Sequence, residues 1–177
     1  MATILWDEAI KKALEVLQHK DQYAYFMGAK GEVLTDARMD LLMNVYKDYF
    51  SKYTAAEKQD IKNWSRGKIG FDCSGFVGWA IYNGGFGKAT TSSDRYVNLP
   101  GTQSVDLNSS PVLQPGDLLY SSGHVILIVG VDNAKGEYKC AEAAGKNAGV
   151  LFTTHKFNDS NYKGLDMTGY YDNNKRG

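Results

Sequence analysis

Apolar positions recur at helical spacing through the first half of the chain and as alternating or unbroken runs through the second. From Ile4 to Lys20, residues Ala9, Ile10, Ala13, Leu14 and Leu17 form one stripe, with lysines and glutamates opposite. That pattern predicts an amphipathic helix laid on a core. His19 falls at its polar end and reads as a solvated residue or C-terminal cap. The aromatic stretch QYAYFMGAKG closes on Gly28 and Gly31 and predicts a short extended piece and a turn. Thr35 suits the cap of a second helix with Ala37, Leu41, Leu42 and Val45 inward and Asp48 near its end. Thr54-Ala55-Ala56-Glu57 is a capping box, so a third helix runs to about Ser65 with Ile61 and Trp64 buried. Ser65 to Gly70 is a basic, glycine-flanked connector into the next helix.

The next stretch, GFDCSGFVGW from Gly70 to Trp79, organises the rest. Phe76, Val77, Ala80 and Ile81 share a stripe, and Gly84 and Gly85 supply a helix end. Asp72 suits the N-cap, which puts Cys73 in the first turn. There the unpaired N–H groups and the positive end of the macrodipole favour thiolate over thiol. Gly75 and Gly78 keep that helix lean enough for another backbone to approach.

Gly84 to Gln114 is polar, rich in Gly, Ser, Thr and Asn, and reads as a long loop with one short strand at Ser104 to Leu107, forming a groove wall. From Pro115 the pattern turns to β. PGDLLY feeds a strand, HVILIVGV is a run buried on both faces, and EYKCAEAA is its hairpin partner. Val150 to Thr154 and Tyr170-Tyr171 suggest further short strands. Helices first and antiparallel sheet after predict one α+β domain over residues 1–177, with about residues 30–68 as a helical insertion before the cysteine helix.

Composition narrows the function. Twenty basic and twenty acidic residues cancel, which argues against nucleic acid or an anionic membrane as the main partner. No stretch is long and apolar enough to span a bilayer, and the first twenty residues do not form a signal peptide. The expected place of synthesis is the cytoplasm. Two cysteines build no disulfide framework, and three histidines without paired cysteines give no structural zinc site. No metal or cofactor is expected.

A thiolate nucleophile needs a base, and the base an orienter. His124 opens the buried strand and is the candidate base. A hairpin turning about Asn133 sets Glu142 opposite it, with register open by one or two positions. A glutamate within an otherwise apolar CAEAA strand is costly to bury without a partner. Glu142 is thus the candidate orienter, with Asn133 or His155 as substitutes for that role. Cys140, two residues away, reads as an inert core thiol.

FDCSGFV, the polar loop, LQPGDLLY and GHVILIVG together resemble the NlpC-type papain-like cysteine peptidases of bacterial cell walls. The resemblance covers most of Tyr23 to Gly145, and it implies a papain-like fold with Cys73 as nucleophile, His124 as base and Glu142 as third member. TTSSDRY, from Thr90 to Tyr96, matches the family's groove loop. The family tyrosine that lies near the nucleophile corresponds to Tyr25, with Tyr23 as the alternative; Ala29 stands where the family has a second glycine. Asp72 and Ser74 would contact polar ends of the substrate. The inserted helices resemble those of phage-encoded lysins, which are released through holin pores to act on the wall. The implied activity is hydrolysis of peptidoglycan stem peptides at the D-γ-glutamyl–diamino acid bond by a monomer. The alternatives are an N-acetylmuramoyl-L-alanine amidase or an acyl- or peptidyl-transferase on the same fold, or a non-catalytic wall-binding or structural module.

Overall fold

The structure, a computed structural model, describes residues 7–87, 92–145 and 149–175. Its α+β architecture sets helices first and a large antiparallel sheet after. Helix α1 (Asp7–Gln18) buries Ala9, Ile10, Ala13 and Val16. Ile4 to Trp6 lie outside the described residues. Leu14, expected inward, is exposed, and Val16 takes its place on a stripe rotated by part of a turn.

Strands β1 (Tyr23–Tyr25) and β2 (Lys30–Val33) flank β3 (Ile69–Phe71) in a small three-stranded sheet. Thus the stretch read as a connector ends in the first two residues of the central strand of that sheet. Its three residues are too few to show a period. Between β2 and β3 run α2 (Asp36–Val45), α3 (Lys47–Phe50) and α4 (Ala55–Ser65). Thr35 caps α2 by accepting from the Arg38 N–H, and the Thr54–Glu57 capping box forms in full. Met39 and Leu42 are the inward residues of α2, whereas Leu41 and Val45 are exposed. Asp48 belongs to the separate turn α3. These helices share a core of their own with Phe26, Ala29 and Leu34.

Helix α5 (Cys73–Asn83) is capped by Asp72, whose carboxylate accepts from the Gly75 N–H at 2.7 Å. Such a cap is worth about 1 kcal/mol. Both ends of α5 are wedged against neighbouring backbone. A Cβ on Gly75 would lie 2.4 Å from the Ala29 carbonyl, and one on Gly84 would lie 2.4 Å from the Ala9 nitrogen. The sequence assigned close approach to this helix, and the packing at Gly75 shows it.

The large sheet has six strands in the order β4-β9-β5-β6-β7-β8. They are β4 (Gln103–Val105), β5 (Leu118–Ser121), β6 (His124–Asp132), β7 (Glu137–Ala143), β8 (Val150–Lys156) and β9 (Lys163–Asp166). As the unbroken apolar run predicts, β6 is buried on both sides. Val125 and Leu127 join the core under α1 and α5, while Ile126 and Ile128 join the core on the opposite face. Tyr170 and Tyr171, expected in a strand, lie in helix α6 (Thr168–Asn174). There Tyr171 is fully buried and donates to the Gly116 carbonyl. Among the described residues no helix is long and apolar enough to cross a membrane.

Candidate active site

The local conformation at Cys73 follows from Asp72. Its carboxylate accepts from the Gly75 and Gly28 N–H groups and pairs with the Lys30 ammonium at 2.6 Å. It thereby fastens the β1–β2 turn to the first turn of α5. Ser74 Oγ donates to the same carboxylate at 3.2 Å, and Lys30 Nζ lies 3.1 Å from that hydroxyl. Asp72 and Ser74, expected to meet the substrate, are therefore chiefly tied to this clamp, although both also line the cleft. Sequence reading missed Lys30, because 42 residues of chain separate it from Asp72.

His124 is placed by the tight turn between β5 and β6. Ser121 pairs with His124, leaving Ser122 and Gly123 as the loop. Gly123 has φ of 79°, a region that disfavours any side chain. Asp94, from the polar loop, accepts from both the Gly123 N–H at 2.9 Å and the Tyr120 hydroxyl at 2.7 Å. The Cys73 Sγ lies 3.6 Å from the Gly123 carbonyl. The thiol thus sits against the turn that presents the imidazole.

The β6–β7 register differs from the expected one by two positions, since Leu127 pairs with Ala141. A β-bulge between Ile128 and Gly130 accompanies the change. An even shift preserves the face, so Glu142 stays on the His124 side, and its Oε1 lies 3.1 Å from His124 Nε2. That contact leaves Nδ1 for the thiol. Interaction with Cys73, then with Glu142, raises His124 to about 9 against the opposing effect of burial. For Glu142, burial is the largest single influence and pushes upward. Hydrogen bonds from His124, His155 and Thr153 together overcome it and hold the carboxyl well below its usual range. Cys73, His124 and Glu142 are thus brought together as the residue spacing anticipates.

Tyr25 is held nearby. Burial, then Tyr49, then Cys73 raise its hydroxyl far above the ordinary value, and a hydrogen bond links it to Tyr49 of α3. Tyr23, the alternative, stacks on Phe71 with ring centroids 5.7 Å apart, and burial followed by Glu15 raises its hydroxyl. Asn133 lies exposed in the turn at the far end of β6. Cys140 is fully buried in the opposite core, and burial followed by Glu142 drives its thiol upward.

A cleft of about 260 Å³ opens over the sulfur, lined by Met27, Lys30, Tyr46, Asp72, Ser74 and Gly123 along with Ser92 and Ser93 of the polar loop. The loop therefore forms one wall, as expected; Thr90 and Thr91 of its TTSSDRY segment lie outside the described residues. Tyr46, from the helical stretch between β2 and β3, forms part of the other wall and was not singled out in the sequence. His155 was noted only as a substitute for Glu142, yet its Nε2 lies 3.0 Å from the second oxygen of that carboxylate. Strand alternation along β8 places Thr153 and His155 on one face, and that was the signal available. Among the described residues no group of three His, Cys, Asp or Glu is arranged to hold a metal ion. Comparison with protein-family models, with curated proteins and with solved structures returned no match.

Proposed function

We propose that this protein is a cysteine hydrolase of bacterial cell walls that cuts an amide bond in the peptidoglycan stem peptide. One observation carries the thiol chemistry: a cysteine in a helix's first turn lines an open cleft and acts on an imidazole, raised to about 9, that has a glutamate 3.1 Å from its ring. The wall substrate and the D-γ-glutamyl–diamino acid bond come from the resemblance to NlpC-type peptidases, as does release of a phage lysin through a holin.

In this reading His124 Nδ1 takes the Cys73 proton, and the sulfur attacks the amide carbonyl. The Cys73 N–H, at a helix position with no intrahelical acceptor, donates to the developing oxyanion. His124 then protonates the leaving amine as the C–N bond breaks, leaving a thioester on Cys73. Water, deprotonated by the same imidazole, releases the acyl group and restores the thiol. Glu142 holds the ring in the tautomer that donates from Nε2 and stabilises the imidazolium, as an aspartate does in serine triads.

The test is turbidity clearing of purified walls by wild type, Cys73→Ala and His124→Ala. Both variants should be inactive while folded. Clearing equal to wild type by either would remove the catalytic reading. Mass spectrometry of the released muropeptides then identifies the bond, because an endopeptidase and an N-acetylmuramoyl-L-alanine amidase leave different new termini.

A further inference from the structure

Glu142 has two carboxylate oxygens, and only one faces His124. Oε1 takes that contact at 3.1 Å. Oε2 is approached by the Thr153 hydroxyl at 2.6 Å and by His155 Nε2 at 3.0 Å. The other ring nitrogen of His155, Nδ1, lies 3.4 Å from Asp159 Oδ2. The ring is fixed from the side by Tyr162, at 5.0 Å between centroids and nearly perpendicular. An imidazole whose two nitrogens both face carboxylates is stabilised as the two-fold donor.

We infer that His155 is a positioning residue: it anchors the outer oxygen of Glu142 so that the inner oxygen stays on His124, which extends the thiol–imidazole–carboxylate set into a row of five groups ending at Asp159. The inference deepens the hydrolase reading and rests on it for its catalytic consequence, but the coupling from His155 to His124 is a property of the row itself. Once His124 has taken the thiol proton, the charges along the row alternate in sign, so each is flanked by its opposite. Without such partners a carboxylate this buried, with 8% of its surface exposed, would be driven toward its neutral form. A neutral Glu142 would stabilise the His124 cation less.

Two effects must be separated, because His155 supplies both a donor and a charge. Removing the charge alone would strengthen the hold of Glu142 on His124, since a competing cation is gone. Removing the donor would loosen that hold. The groups acting on His155 are Glu142 from β7, Thr153 beside it on β8, Asp159 beyond β8 and Tyr162 before β9; Glu142 in turn acts on Cys140.

The experiment compares His155→Gln, which keeps an amide donor but cannot ionise, with His155→Ala, which keeps neither. Two-dimensional NMR of the full chain follows the His124 ring from pH 5 to 10, and the chain's three histidines keep the assignment simple. Wall clearing is measured in parallel. The midpoint of His124 in the alanine variant should lie about one pH unit below that in the glutamine variant, and clearing by the alanine variant should be about tenfold slower. Superimposed titrations of the two variants would overturn the inference. If the alanine variant fails to fold, His155→Phe, which keeps a ring against Tyr162 without a donor, is read in its place. A wild type inert on walls that still shows the difference between variants would sink the hydrolase reading and leave the coupling standing. Active walls with no difference would do the reverse.

Discussion

The two cysteines are both buried, at 7% and 0% exposure, yet they occupy opposite chemical situations. Cys73 lies at the start of a capped helix, against the Gly123 carbonyl, beside an imidazole, with a cleft above it. Cys140 lies within β7, in the core on the other face of the sheet, next to a carboxylate. Burial alone therefore says little about a thiol. A helix start and a neighbouring cation favour the anion, whereas apolar walls and a neighbouring anion oppose it. The same contrast separates the carboxylates. Asp117, held by the N–H groups of Met167 and Gln114, is pushed up by burial to about 6. Glu142, at similar exposure but facing two imidazoles, moves the other way. Neutral donors only soften the cost of burial, and cationic ones reverse it.

The sharpest way to break this comparison is to truncate each thiol. Cys73→Ala should abolish wall clearing, a loss on the order of 10⁵-fold or more. Cys140→Ala should clear walls at the wild-type rate and lose only about 1 kcal/mol in urea unfolding, from a small core void. Equal losses of activity would erase the distinction. Glu142→Gln should reduce clearing by about 10²- to 10³-fold without loss of fold, because the amide keeps contact with the ring but not the charge. Next in size is alkylation. Iodoacetamide near neutral pH, mapped by peptide mass spectrometry, should label Cys73 in the native protein and Cys140 only after unfolding.

The smallest effect is on stability. The folded-state value of His124 is raised from 6.5 to about 9, so its contribution is complete below about pH 6.5 and fades as pH rises to about 9. Glu142 is lowered from 4.5, so its contribution is present above that pH and fades in acid. The melting temperature should therefore decline from pH 6.5 to 9 in wild type. Glu142→Gln should flatten that decline.

What the sequence made legible was whatever is local or periodic. The caps at Thr35, Thr54 and Asp72, the doubly buried β6 and the helix bearing Cys73 all follow from a few adjacent residues. The β6–β7 hairpin brought His124 and Glu142 together at a register two positions from the nominal one, within the range left open, because an even shift keeps the face. The misses are long-range or short in span. Strand β3 has only three residues, and β9 joins the sheet between β4 and β5 with no turn signal linking it to either. The Lys30–Asp72 pair and the place of Tyr46 in the cleft depend on how the inserted helices dock, which no local pattern encodes. Leu41 and Val45 were misassigned because α2 buries its Met39–Leu42 edge, while those two face outward.

Strand β8, which carries Thr153 and His155, is the last in the six-stranded order and has a ladder neighbour on one side only. An outermost strand is held by half the backbone bonds of an interior one, so its opening is among the cheaper motions of a fold. Warming should detach the far supports of the carboxylate while β6 and α5 remain in place. Heat would then silence this molecule before it melts.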